Sequence, residues 1–266
     1  MLEQVQAVRF IEELSSGRNR PWLIEAERWD GEIVEVVAKL GSAECGPGGL
    51  VREAYSAMLA ADLGLPISEP FVVELLPDFV ANLEPTQKYR ANGQSLAFGS
   101  AFAPNMFSIQ QNLAMASHLQ KQATEAFTFD AGIINSDRLV TKPNCLTDGT
   151  SILLIDHELS LNLHGRGGFL FRDPWTPGAL LTMTSGTSEH LFYSKVRASG
   201  ELSYGSVIQA LCAQLAGISP SRIDEYRDAV PAEWDKDAVA EGISEFLKEL
   251  IVKADEFKNV VGAALS

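Results

Sequence analysis

The chain has 266 residues, enough for a large core in one domain or for two unequal lobes. Its 35 acidic residues against 21 basic ones leave a net charge of −14, which repels polyanions and excludes general binding to a DNA or RNA backbone. No apolar run approaches the length of a membrane span, and the start lacks the character of a signal peptide, so a cytoplasmic location is expected. The three cysteines, Cys45, Cys145 and Cys212, are widely spaced, which argues against both a disulfide framework and a zinc site.

In chain order, Val5, Val8, Ile11 and Leu14 stand at helical spacing and predict a short amphipathic helix ending at Ser15-Ser-Gly17. Residues 21–40 alternate apolar and polar on both sides of Asp30-Gly31 and predict an antiparallel hairpin. The next helix, from Leu50, closes at Gly64 with Pro66 just beyond, and a strand follows in "SEPFVVELL". Polar and turn residues accumulate over 76–94, before the apolar "SLAFGSAF", and a domain boundary is expected there, giving 1–95 and 96–266. Residues 108–135 read as two helical segments and "SILLID" as a strand. Residues 164–178 are the most loop-like, and beyond residue 200 the pattern is almost wholly helical, with Ser219-Pro220 and Asp235 as helix-start signals.

Lys39 ends the second hairpin strand, and Glu53 lies near the start of the next helix after a Gly-rich loop, where it can pair with that ammonium. Taken alone, Lys39 reads as a solvated strand end, and a solvated first-turn glutamate accounts for Glu53 as well as the pairing does. The loop Gly17-Arg18-Asn19-Arg20 precedes the first hairpin strand and is placed to fold over phosphates, although it is neither a Walker loop nor GxGxxG. In "NSDRLVTKPNCL", Asp137 can orient a hydroxyl or take its proton and Asn144 offers a neutral oxygen ligand. Asp156, at the end of the following strand, can bridge a metal ion to phosphates. Each alone is an ordinary turn residue; together, downstream of Lys39 and Glu53, they suit phosphoryl transfer. His157 and Glu158 adjoin this set, while His118, His164 and His190 show no ligand spacing. No GxSxG nucleophile is present, and the isolated tryptophans suit packing better than base stacking.

These residues give the chain a resemblance to the HipA-like kinases, in particular their compact bacterial branch. The features that carry it are Gly17 to Pro21, the strand ending in Lys39, "REAYSAMLAADLGLPISEP", the "FGS" at Gly99, N-x-D-R running to Pro-Asn, "IDHE" and "VPAEW". The resemblance implies an α+β, bilobed protein-kinase-like fold with a small, mainly antiparallel β lobe carrying one key helix and a larger helical lobe. Its catalytic loop is similar to that of type II phosphatidylinositol 4-kinases. It further implies ATP and Mg2+ as cofactors: Lys39 on the phosphates with Gly17, Arg18, Asn19 and Arg20 in the loop above them, Glu53 orienting Lys39, Asp137 as the catalytic aspartate, and Asn144 and Asp156 on the metal. A protein serine/threonine substrate, a toxin role and an antitoxin or regulatory partner come with the resemblance; a small-molecule or lipid kinase and a silent pseudokinase are the competing readings. The chain departs from the family pattern at Lys142, where asparagine is common, at Glu35, and at Arg18 and Asn19, where small residues are common.

Overall fold

The computed structural model describes residues 2–14, 19–41, 45–109, 116–163, 173–180 and 189–266. Five strands close into a barrel in the order β1-β2-β3-β5-β4: β1 (Glu3–Glu13), β2 (Trp22–Glu27), β3 (Ile33–Lys39), β4 (Pro70–Glu74) and β5 (Leu96–Ala101). Neighbours run antiparallel except β1 and β4, which pair in parallel. Closure removes the exposed edges that a small sheet would otherwise present.

The first segment corrects the helical expectation, since Glu3–Glu13 is a strand. Val5 and Ala7 point inward at period two; then the register against β2 shifts between Ala7 and Arg9, and Phe10 takes the inward place against Trp22, with ring centroids 5.6 Å apart. A bulge inserts one residue and moves the apolar face by one position. The inward residues Ala7 and Phe10 therefore stand three apart, and Val8, which follows Val5 at helical spacing in the sequence, is the extra residue and is 44% exposed. The hairpin at Asp30-Gly31 forms as expected, with Gly31 at φ 86° and its N–H bonded to Arg28 O at 3.0 Å.

β5 lies beyond residue 95 and is hydrogen-bonded between β3 and β4, so it pairs with the barrel strands. Gly99 lets the barrel close: a Cβ there would lie 2.6 Å from Val73 Cγ2 and 2.7 Å from Val36 Cγ1. The polar stretch before β5 holds two short helices, α2 (Pro77–Ala81) and α3 (Pro85–Ala91), each with proline in its first turn, where the missing N–H costs nothing.

The main helix beside the barrel, α1 (Gly48–Asp62), is buried from Gly48 to Ala60 and ends at Gly64, φ 65°. Small residues such as Gly49, Ala54, Ala57 and Ala60 let it lie between the barrel and the helical region. Tyr55 OH reaches Ser244 Oγ at 2.7 Å, and Asp62 takes Arg222 at 2.6 Å.

Beyond the barrel come a small antiparallel sheet, β6 (Phe107–Ser108), β7 (Cys145–Thr147) and β8 (Ile152–Leu154), and α4 (Gln120–Gly132). Of the two segments expected over 108–135, α4 is the second; residues 110–115 of the first lie outside the described residues. The helices α5 (Tyr193–Ala198), α6 (Glu201–Ala216), α7 (Pro220–Ala229), α8 (Val239–Val252) and α9 (Ala254–Leu265) complete the chain. Ser219 caps α7 by accepting the Arg222 N–H, and Asp235 Oδ1 accepts the Ala240 N–H at 2.9 Å. Most of the loop-like 164–178 lies outside the described residues. One apolar core fills the barrel, and a larger one joins α1 to the helices. None of the described helices is long and apolar enough to cross a membrane.

Candidate active site

A cleft of about 460 Å³ opens between the barrel and the small sheet. That volume suits a nucleotide-sized ligand. Val37, Ile67, Met106, Leu146 and Leu153 give it an apolar wall, and Lys39, Glu53, Asp137, Lys142 and Asp156 line its polar end.

Lys39 is the last residue of β3, directly opposite Phe98 of β5, so the barrel fixes where its stem leaves the sheet. Its ammonium pairs with Glu53 Oε1 from α1 and lies 2.9 Å from Asp156 Oδ1. Two consecutive elements, β3 and α1, thus meet on one cation with an aspartate 117 residues beyond the lysine. Burial opposes the charge on Lys39, but Asp156 and then Glu53 outweigh it and hold the ammonium above the usual lysine range. Burial likewise opposes the charge on Asp156, yet Lys39 and then Lys142 bring its carboxyl down to about 2.

The loop after α4 is organised from a buried cluster. Asp130, wholly buried, accepts Arg138 Nε at 2.5 Å, His190 Nε2 at 3.0 Å and the Asn135 amide at 2.7 Å. Burial disfavours its charge, but Arg138 and His190 keep it ionised, well below the ordinary carboxylate range. Asn135 in turn accepts the Asp137 N–H at 3.1 Å. Arg138 donates to Asn144 O and, at 3.3 Å, to Ile155 O, so one guanidinium ties together the backbone beside both expected metal ligands. Asn144 and Asp156 are themselves in the left-handed region, φ 43° and 63°. Such conformations are costly for residues other than glycine and persist where the surroundings enforce them.

Asp137 receives the Asn144 amide at 2.9 Å and an ion pair from Lys142, whose ammonium is also 3.9 Å from Asp156 Oδ2. Because the Asn144 N–H groups point to Asp137, its carboxamide oxygen has no hydrogen-bond donor among the described residues. Among those residues no cluster of three or more His, Cys, Asp or Glu could enclose a metal. One carboxylate and one carboxamide oxygen fit Mg2+, which keeps waters and phosphate oxygens in its shell, and would not suit an ion that needs an all-protein cage.

The structure therefore brings Lys39, Glu53, Asp137 and Asp156 to one cleft, with Asn144 beside it and bonded to Asp137. Of the loop above it, Asn19 reaches in and donates to Glu158, while the Arg20 guanidinium turns to Glu13 at 3.4 Å and stays largely exposed. Gly17 and Arg18 lie outside the described residues. His157 is buried and bonds Arg138 at 2.9 Å; burial, with Arg138 next, pushes its imidazole down to about 3, so it is neutral and part of the scaffold. Asp130 and His190 are the site residues that sequence reasoning missed. A lone acid in the otherwise apolar "AFTFDAGII" was the available signal for Asp130; His190, sixty residues away, carried none.

At the polar end of the cleft, the lysine that ends a strand of the closed barrel is thus shared between a glutamate of α1 and an aspartate just beyond β8. The fold is similar to that of the Helicobacter pylori proinflammatory kinase CtkA, with a TM-score of 0.58 and 10% identity, covering 100% of this chain and 98% of that one. The FAT and kinase domain of CtTel1 aligns with 97% of this chain and 23% of its own at 13% identity, but its TM-score of 0.26 carries no argument. Among curated proteins none matches the sequence. The sequence profile of the HipA-like kinases matches residues 7–166, well over half the chain, and the protein belongs to that family.

Proposed function

We propose that the protein is an ATP- and Mg2+-dependent phosphotransferase acting on serine or threonine hydroxyls of a protein substrate, with the barrel and α1 serving as the small lobe of a bilobed kinase. The observation that carries this reading is the meeting of Lys39, Glu53 and Asp156 on one ammonium at the polar end of the cleft, beside Asp137 and Asn144.

Lys39 would hold the α- and β-phosphates, and the buried Glu53 keeps its ammonium facing the cleft. Asp156 and the carboxamide oxygen of Asn144 would hold Mg2+. Bound Mg2+ and ATP supply the phosphoryl group and the neutralisation of its charge. The Asp137 carboxylate, fixed by the Asn144 amide and by its own N–H bond to Asn135, is placed to accept the hydrogen bond of an acceptor hydroxyl and orient its oxygen for attack. The apolar wall around Val37, Ile67 and Leu146 suits a base. A soluble protein acceptor agrees with the acidic balance, which would repel an anionic membrane.

The test is transfer of labelled γ-phosphate from ATP by the purified chain, to itself and to cell-extract proteins, alongside Asp137→Ala. We expect labelled protein with the wild type and a loss of at least about 100-fold in the variant, the scale of an acid–base and positioning contribution. Nucleotide binding without transfer to protein, lipid or small alcohols would instead make the chain a binding module.

A further inference from the structure

Among the described residues that line the cleft, the roles above leave the cation Lys142 unassigned. Lys142 closes a tight turn in which Leu139 N–H bonds Lys142 O at 2.9 Å and Lys142 N–H bonds Leu139 O at 3.1 Å. Pro143 follows and restricts the backbone further. From this fixed base the ammonium pairs with Asp137 Oδ2 and lies 3.9 Å from Asp156 Oδ2, while the other oxygen of Asp156 faces Lys39. It therefore sits against the carboxylates whose negative charge would draw a divalent ion. The two lysines differ in freedom: the Lys39 side chain is 15% exposed and held by two carboxylates, whereas that of Lys142 is 41% exposed and has room to turn outward.

We propose that Lys142 is an internal counter-cation of the site, which neutralises Asp137 and shields Asp156 in the nucleotide-free cleft and which a divalent ion must push aside from Asp156 in order to bind. The inference rests on the kinase reading and adds to it a reason for metal and nucleotide to bind together. Alone, an incoming ion meets a resident positive charge and gains only one carboxylate and one carboxamide from the protein. With a nucleotide present, phosphate oxygens complete the ion's shell and offer the displaced ammonium a new anionic partner. Linkage then requires that metal raise nucleotide affinity and nucleotide raise metal affinity by the same factor. Lys142 sets part of that factor, at a position where asparagine would supply no charge.

The test is titration of Mn2+ alone into the full-length protein, read by the electron paramagnetic resonance of the free ion, for wild type, Lys142→Met and Lys142→Arg. Removing a unit charge a few ångströms from a dication should tighten Mn2+ binding about tenfold in Lys142→Met. Lys142→Arg should stay close to wild type, and Asp156→Asn added to Lys142→Met should remove the gain. Lys142→Gln repeats the neutral case with a polar side chain, so that a folding defect peculiar to methionine does not decide the result. The enhancement of ADP affinity by Mn2+ should shrink in both neutral variants. Equal Mn2+ affinity in the wild type and both neutral variants, with ATP still bound by the wild type, overturns the counter-cation and leaves the kinase reading intact. A wild type that binds no ATP with or without Mn2+ overturns both.

Discussion

Lys39 and Asp156 form the contact on which the cleft depends, and their ionisation gives it a pH signature. The Asp156 carboxyl is lowered from 3.8 to about 2, against the cost of burial, mainly by Lys39. A carboxyl lowered on folding stabilises above its unfolded value, and that contribution is lost as the pH falls through its folded one. Chemical denaturation should therefore show Asp156→Asn less stable than wild type at neutral pH, with the gap closing between about pH 4 and pH 2. A gap that stays constant across that window would mean the pair contributes nothing through ionisation. Arg138 makes a different prediction. It is fully buried against Asp130 and also bonds Asn144 O, so Arg138→Met strands a buried carboxylate and should cost roughly 3–5 kcal/mol in urea unfolding. Asp130→Asn combined with Arg138→Met should cost less than the sum of the two single changes. The set Lys39, Glu53, Asp137, Asn144 and Asp156 could be picked out of the sequence by its order along the chain, although each alone is an ordinary residue for a strand end, a helix or a turn. Asp130 and His190 were not, since a buried ionic cluster is assembled from segments that local spacing does not relate.

At the scale of elements, the hairpin at Asp30-Gly31, α1 with its stop at Gly64, and the cap at Ser219 were all legible, because turns and helix ends are set by a few neighbouring residues. The first strand was not, because its bulge breaks period two and its pairing partners, β2 and β4, are set by the tertiary fold. For the same reason "SLAFGSAF" carried no sign that it closes a barrel with strands that precede it. Gly99 supplies the sharpest test of that closure. With Val73 and Val36 already under 3 Å from where its Cβ would be, Gly99→Val should lower stability by roughly 1–3 kcal/mol or more, as overpacking of a filled core does. Wild-type stability in Gly99→Val would show that β5 does not pass between those two side chains.

At the scale of the whole molecule, α1 is the mechanical link. It carries Glu53 toward the barrel lysine, Tyr55 to α8 and Asp62 to Arg222 of α7, so the position of Lys39 is referred to the helical region through one rigid element. The return path is Glu233, just after "VPA", whose carboxylate takes the N–H groups of Ser95 and Leu96 at 3.0 and 3.2 Å at the start of β5. The chain as a whole carries a net charge of −14, and among the described residues the cations lining the cleft are Lys39 and Lys142, so on the proposed reading nucleotide affinity comes from those groups and from metal. Calorimetric titration of Mg2+ and ATP into wild type, Lys39→Met and Asp156→Asn tests this most directly. One saturable site is expected in the wild type, with at least a tenfold loss of affinity in each variant; equal affinity in all three proteins, or no binding to any of them, would contradict a nucleotide site built on Lys39 and Asp156.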